Sequence, residues 1–367
     1  MRRTEAIAWV LGVCANCLRL SQLKTLSELV SGALKVERVS LAEIGRNLLG
    51  APSAKHKIKR TWRFVANHRI EASDAMRGVI RRLVKRRKRP LLMALDWTEI
   101  RGFCTLMAAA VMKGRAIPLL WTTYPKWQLY KSQNNLEEGL LYLLRSMIPE
   151  SVPVILLADR GFGRTDLARL CQQRLQFHYV IRISPDVWVS GRDFCGKLLD
   201  LPVRRGVCRL LRQVDYRKER PVRQHVVVRW KVGLPKHRDE CWFLMTDLDR
   251  SPRRLTELYG RRMTVEELFR DDKNKRNGFA LRNTQITRAD RIDRLLLILA
   301  LAYILLLGLG LIAQRQYRPG TWSSRNQGKP CSAFIVGRIM LERMRASPAQ
   351  VFIAVASALE TAPGKWG

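Results

Sequence analysis

Acidic residues are scarce in this chain of 367 residues. It contains 31 Asp and Glu against 67 Lys and Arg, which gives a formal net charge of +36. Such an excess of positive charge favours a polyanionic partner, most often nucleic acid, with an anionic membrane surface as the alternative. Because 47% of the residues are hydrophobic, the chain is too apolar for a disordered polybasic tail. It is long enough for one large domain or for two to three smaller ones.

Histidine and paired cysteine motifs are also scarce. The five histidines do not cluster, and neither a Ser-His-Asp order nor a glycine-rich phosphate loop is present. The eight cysteines are irregularly spaced, and the CxxC of Cys14 and Cys17 has no second pair of metal ligands. These absences argue against a structural zinc site and a disulfide framework. Reduced cysteines fit a cytoplasmic protein.

One long apolar run, Leu295–Ala313, is free of charged residues and is long enough to span a bilayer. The alternative is a helix that is buried on all sides of a large core. We expect the core helix, and therefore no association with a membrane, because a single span would not explain the chemistry upstream.

The first part of the chain, residues 1–89, is predicted to be a small, all-α, basic region that binds DNA. Residues 40–50 (SLAEIGRNLLG) are typical of the first helix of a helix-turn-helix, and residues 53–69 form the basic helix that follows. Between residues 55 and 89 there are 14 Lys and Arg against two acids, a density that suits phosphate contacts. The side chains that we expect to contact DNA here are Lys55, Lys57, Lys59, Arg60 and Arg63.

From residue 90 the pattern changes to short apolar runs separated by turns. Residues 90–186 predict three strands followed by alternating helices and strands, which is typical of a mixed α/β sheet. Residues 187–250 predict a β-rich insertion, and residues 251–313 return to helices, beginning with one helix over 252–275. Residues 314–367 predict a basic loop and two closing helices.

Two acidic residues end apolar strands in this region. Asp96 closes LLMALD and Asp159 closes VPVILLAD, so both are well placed for a site at the carboxyl edge of the sheet. A third acidic residue, Glu266, belongs to the string Y-x2-R-x3-E-x6-K in the helix predicted over 252–275. At 3.6 residues per turn its four members, Tyr259, Arg262, Glu266 and Lys273, fall within an arc of about 60°. The acids Glu267, Asp271 and Asp272 fall on the far side of that helix, which we expect to face solvent.

Three carboxylates of this kind can hold two divalent cations. Their hard oxygen ligands favour Mg²⁺ or Mn²⁺, and two such ions would promote an in-line displacement at phosphorus. Arg262 and Lys273 would then grip phosphates on either side of the scissile one.

These motifs together resemble the DDE transposases of the IS4 family of bacterial insertion sequences. The resemblance is carried by DWTEI around Asp96, LADRGFGR around Asp159 and the helical string, and it extends over roughly residues 40–345. It implies an RNase H-like catalytic core with a β-strand insertion before the glutamate helix. It also implies that Asp96, Asp159 and Glu266 are the catalytic and metal-binding residues, and that Tyr259, Arg262 and Lys273 contact DNA.

The resemblance further implies cut-and-paste transposition, with a hairpin intermediate before strand transfer into target DNA. We expect a homodimer that bridges two double-stranded DNA ends, because both ends must be cut and joined together. Relatives stack a flipped base on a tryptophan, for which Trp188 and Trp230 are candidates here, whereas we expect Trp242 to be a core residue. Two alternatives stay open, namely a non-transposing RNase H-like nuclease and a domesticated DNA-binding protein. The expected location is the cytoplasm, with the protein bound to the nucleoid.

Overall fold

A computed structural model describes residues 3–85, 87, 89–232, 240–276, 278–323 and 331–360. The predicted mixed α/β class is confirmed. Its helices are α1 (Arg3–Val13), α2 (Leu20–Ala33), α3 (Leu41–Arg46), α4 (Ala54–Ala66), α5 (Ala72–Val84), α6 (Gln133–Arg145), α7 (Thr165–Arg169), α8 (Pro252–Gly260), α9 (Met263–Lys273), α10 (Ala289–Gln316), α11 (Ala333–Met340) and α12 (Pro348–Glu360). Its strands are β1 (Leu91–Ile100), β2 (Phe103–Val111), β3 (Ala116–Pro125), β4 (Val154–Ala158), β5 (Phe177–Arg182), β6 (Trp188–Ser190), β7 (Cys195–Lys197), β8 (Cys208–Tyr216), β9 (Val222–Lys231) and β10 (Glu240–Thr246).

The strands form one mixed sheet in the order β3-β2-β1-β4-β5-β10-β9-β8-β6-β7. β1, β4 and β5 are parallel to one another, and β2 runs antiparallel to both β1 and β3. Every residue of β4 (VILLA) is buried, as expected for a parallel strand covered on both faces. The residues predicted as a β-rich insertion extend this same sheet, because β10 pairs antiparallel with β5.

The long apolar run lies in α10, at the centre of the core. This helix is long and apolar enough to cross a membrane, but 89% of its most apolar window is buried inside the protein. The prediction of a core helix is therefore confirmed. Glycine lets α11 approach α10 closely, since a Cβ atom on Gly310 would lie 1.7 Å from the carbonyl oxygen of Ala333.

The N-terminal helices pack onto the core through α2, α4 and α5, all of which contact α10. Ser40 caps α3 by accepting a hydrogen bond from the amide of Glu43 at 3.1 Å, as its sequence pattern suggests. α3 and α4 cross closely, because a Cβ atom on Gly45 would lie 2.7 Å from the Cα atom of Ile58. From α10, the buried Arg294 guanidinium donates to the carbonyls of Val65 (2.8 Å) and Ile70 (3.1 Å). The basic helix α4 is thus fixed to the core helix.

Two predictions about the segment 252–275 are wrong. The segment forms two helices, because a tight turn at Arg261 and Arg262 separates α8 from α9, with the Arg262 amide bonded to the carbonyl of Tyr259 at 2.9 Å. The far side of α9 does not face solvent, since Asp271 and Asp272 are only 6% and 8% exposed. Asp271 binds Arg115 (2.8 Å) and the Tyr303 hydroxyl (3.1 Å), so long-range packing covers this face.

Some predictions fall partly outside the described residues. They concern residues 1–2, 86 and 88 of the basic N-terminal region, 233–239 of the insertion, residue 277, and 324–330 and 361–367 of the C-terminal region.

Candidate active site

Asp96 and Asp159 lie at equivalent positions on neighbouring parallel strands. Leu95 of β1 is paired with Ala158 of β4, and each aspartate is the next residue along its chain. Asp159 comes directly after the carboxyl end of β4, as predicted. The prediction that Asp96 ends its strand is wrong, because pairing with β2 continues β1 to Ile100; Asp96 lies where the pairing of β1 with β4 stops. The Asp96 carboxylate is 14% exposed, and its Oδ1 atom accepts a hydrogen bond from the Trp97 amide at 2.9 Å.

A short turn after β4 presents Asp159. The Oδ1 atom of Asp159 accepts a hydrogen bond from the Gly161 amide at 2.9 Å and caps the 3-10 turn Arg160–Phe162. Phe162 is 1% exposed and anchors the turn in the core. The aspartate is therefore held by its own loop.

Arg262 joins two of the three predicted carboxylates. One terminal nitrogen of its guanidinium lies 2.9 Å from Oδ2 of Asp96, and the other lies 2.8 Å from Oε1 of Glu266. Glu266 sits in the first turn of α9, and its side chain is 43% exposed. The contact between Arg262 and Asp96 holds the helix string against β1, although the two residues are 166 positions apart in the sequence.

Negative charge accumulates at this edge of the sheet. Burial raises the pKa of Asp96 to about 6, Arg262 opposes the rise, and the Asp159 and Glu266 carboxylates add to it. The hard oxygen donors and the surplus of negative charge fit the divalent cations that the sequence predicts. Within the described ranges, no three His, Cys, Asp or Glu side chains form a ready-made metal site. Arg262 supplies the positive charge in this arrangement.

The other two members of the helix string flank the carboxylates. Tyr259 is 3% exposed and meets the ring of Trp242 edge-on, with 5.1 Å between centroids. The Lys273 ammonium donates a hydrogen bond to the Thr98 hydroxyl on β1. Burial lowers the pKa of Lys273, and the neighbouring Arg282 lowers it further. The structure thus places Arg262, Glu266 and Lys273 beside β1, whereas Tyr259 packs against Trp242 of β10.

The remaining predicted residues lie elsewhere. Among the α4 cations, Lys55, Lys59 and Arg63 are exposed, Lys57 is half-buried, and Arg60 forms two hydrogen bonds with the Glu28 carboxylate. Trp188 lies on β6 under the Lys218 ammonium, 3.9 Å from the ring centroid, and Trp230 on β9 is 37% exposed. Trp242 is 8% exposed, in agreement with the expected core position.

Sequence reasoning missed Glu137, a carboxylate beside the site. Its side chain is 0% exposed and accepts hydrogen bonds from Trp97 and Arg164, which follow the two aspartates. The helical spacing could have predicted that Glu137 is buried, because it shares the buried face of α6 with Leu140, Leu141 and Leu144.

The buried face of α9 makes stability depend on pH. Burial raises the pKa of Asp272 to about 7, with Asp271 adding to the rise, against a usual value of 3.8. The folded protein therefore binds this proton more tightly than the unfolded chain does, so the free energy of unfolding falls as pH rises from about 4 to about 7. We expect Asp272→Asn to reduce the slope of the free energy of unfolding against pH by up to about 1.4 kcal/mol per pH unit in this range.

Chemical denaturation of both proteins between pH 4 and pH 8 measures the effect. Asp193→Asn changes an exposed carboxylate and serves as the control. Parallel pH profiles for the wild type and Asp272→Asn would contradict the prediction.

The chain matches the model of a known protein family. The model of the family described as "Transposase DDE domain" matches residues 87–305, more than half of the chain. No curated protein matches the chain. The matched range contains all three carboxylates and the complete helix string.

Proposed function

The chain belongs to the family of transposases with a DDE domain, and from this premise we propose that it is the transposase of an IS4-type insertion sequence. Membership of the family implies a metal-dependent enzyme that acts on DNA. One observation supports the finer assignment, namely that Arg262 joins Asp96 to Glu266 while Asp159 ends the neighbouring strand. This arrangement brings together residues from the three motifs on which the resemblance to the IS4 family rests.

The proposed reaction is hydrolysis at the transposon end followed by strand transfer, with a hairpin intermediate. Asp96, Asp159 and Glu266 would hold two Mg²⁺ or Mn²⁺ ions, which when bound supply activation of the attacking oxygen and stabilisation of the leaving oxygen. Arg262 and Lys273 orient the DNA by binding phosphates beside the scissile one. Arg262 gives up its carboxylate partners for phosphate oxygens when DNA enters.

The proposed core is RNase H-like. Its support is the order β3-β2-β1-β4-β5, with β2 antiparallel to its neighbours and β1, β4 and β5 parallel. In this arrangement Asp96 lies within β1 and Asp159 follows the neighbouring strand β4, while Glu266 lies on α9, which packs against β1.

The proposed DNA contacts begin with the helix pair α3 and α4. The exposed cations of α4 would bind the terminal inverted repeats, and Trp188 or Trp230 would stack on an unpaired base. We propose a homodimer on DNA, because both ends must be cut and joined together. A cytoplasmic, nucleoid-associated location follows from this activity.

A joining assay on the intact protein tests the proposal. DNA flanking the gene supplies the inverted repeats, and linear DNA carrying these ends is incubated with the protein and Mg²⁺. We expect cleavage at the ends and joining of precut ends to a target plasmid, both of which require Mg²⁺ and the matching end sequence. DNA with scrambled ends is the control.

Other outcomes would overturn the proposal in distinguishable ways. Cleavage without joining of precut ends would indicate a non-transposing nuclease on the same fold. Binding of the ends without any turnover would indicate a domesticated DNA-binding protein.

A further inference from the structure

A buried carboxylate connects the two segments that carry Asp96 and Asp159. Glu137 lies on α6, and its side chain is 0% exposed. Its Oε1 atom accepts hydrogen bonds from the indole nitrogen of Trp97 at 2.8 Å and from the side-chain amide of Gln133 at 2.9 Å. Its Oε2 atom accepts a hydrogen bond from the Arg164 guanidinium. Both carboxylate oxygens therefore have partners.

Each of the two main partners adjoins one aspartate. Trp97 follows Asp96 directly, and its amide donates to the Asp96 carboxylate at 2.9 Å. Arg164 ends the loop that begins at Asp159, and the preceding carbonyl, that of Gly163, accepts a hydrogen bond from the Tyr216 hydroxyl at 2.9 Å. A single carboxylate on a third element thus holds both the residue next to Asp96 in β1 and the end of the loop that begins at Asp159.

Stability alone does not explain such a group. Burying an ion pair costs so much hydration that well-packed apolar residues often stabilise a fold equally well. The geometry of metal-binding carboxylates, in contrast, is sensitive to the groups that hold them, and changing such a group typically weakens metal binding about 10-fold to 100-fold.

We propose that Glu137 is a positioning residue, which sets the separation of Asp96 and Asp159 and thereby the affinity of this pair for a divalent cation. The inference rests on the proposed function, since it takes these aspartates as metal ligands. Glu137 acts through Trp97 and Arg164 and touches neither aspartate in the hydrogen bonds described.

Titration of the full-length protein with Mn²⁺, followed by the electron paramagnetic resonance signal of free Mn²⁺, tests the proposal without DNA. Glu137→Gln keeps the shape of the side chain but removes the charge that faces Arg164. We expect its Kd for Mn²⁺ to rise about 10-fold. Trp97→Phe removes only the indole donor, and we expect a smaller rise in the same direction.

The neighbouring Glu138 offers a matched control. Its carboxylate lies 3.4 Å from the same Arg164 guanidinium, but its side chain is 31% exposed. We expect Glu138→Gln to bind Mn²⁺ with the wild-type Kd. In end cleavage, Glu137→Gln should need about 10-fold more Mn²⁺ for half-maximal rate, with a smaller change in the rate at saturation.

A folded Glu137→Gln protein with the wild-type Kd for Mn²⁺ would overturn the proposal. If Glu137→Gln does not fold, Trp97→Phe decides, and an unchanged Kd in that variant overturns it equally. Asp96→Asn separates this failure from that of the proposed function. If Asp96→Asn also leaves the Kd unchanged, the metal site itself has been assigned wrongly.

Discussion

Asp159→Asn should abolish cleavage of the transposon ends, lowering its rate at least about 1,000-fold, while DNA affinity stays within about twofold of the wild type. The amide removes the negative charge that a divalent cation needs. It keeps the oxygen that accepts the Gly161 amide bond, so the loop retains its shape. The effect therefore isolates the chemistry of the carboxylate.

Single-turnover cleavage of end DNA, together with a binding titration, measures the two quantities. Asp166→Asn provides the control, because it makes the same change a few residues further on, at a side chain that is 68% exposed. Cleavage by Asp159→Asn within 10-fold of the wild-type rate would contradict the assignment of this residue.

Arg294→Met should lower the free energy of unfolding by about 3–5 kcal/mol. The Arg294 side chain is 5% exposed and donates to the carbonyls of Val65 and Ile70 and to the carboxylate of Asp290. Methionine fills similar volume but donates nothing, so the carbonyls of Val65 and Ile70 lose their partner in the interior. The side chain of Asp290, in contrast, is 36% exposed and keeps Arg288. The substitution therefore weakens the contact between α4 and α10.

Urea denaturation of the two proteins measures this change. Arg288→Met is the matched control, because Arg288 pairs with the same Asp290 carboxylate but its side chain is 61% exposed. We expect the control to change stability by less than about 0.5 kcal/mol. A loss below about 1 kcal/mol in Arg294→Met would show that the link contributes little.

The sequence was sufficient to predict where Asp159 lies, because an apolar run that ends in an acid predicts a buried strand with a polar terminus, and β4 ends directly before it. The same pattern misplaced the end of the strand at Asp96, because pairing with β2 carries β1 on to Ile100. The parallel pairing of β1 and β4 still brings the two acids to neighbouring positions. The helix string was also grouped correctly, although the predicted single helix is two. The turn at Arg262 keeps right-handed helical dihedrals, with φ −49° and ψ −36°, so the side of the helix changes little.

Features that depend on distant packing were not predictable from local pattern. In the sequence Asp271 and Asp272 have the spacing of acids that face solvent on α9. This face is buried only because Arg115 and Tyr303 of α10 pack against it in the folded protein. The helical spacing indicated that Glu137 is buried with the leucines of α6, but not its partners, because Trp97 and Arg164 come together around it only in the folded protein. The joining of β10 to β5 depends on pairing across a long stretch of chain.

The position of these elements along the chain has a consequence for synthesis. Asp96 and Asp159 leave the ribosome well before Glu266, because the strands β6 to β10 lie between them along the chain. The nascent chain therefore carries only two of the three acids until every strand of the sheet has been synthesised, and the three carboxylates can come together only after that.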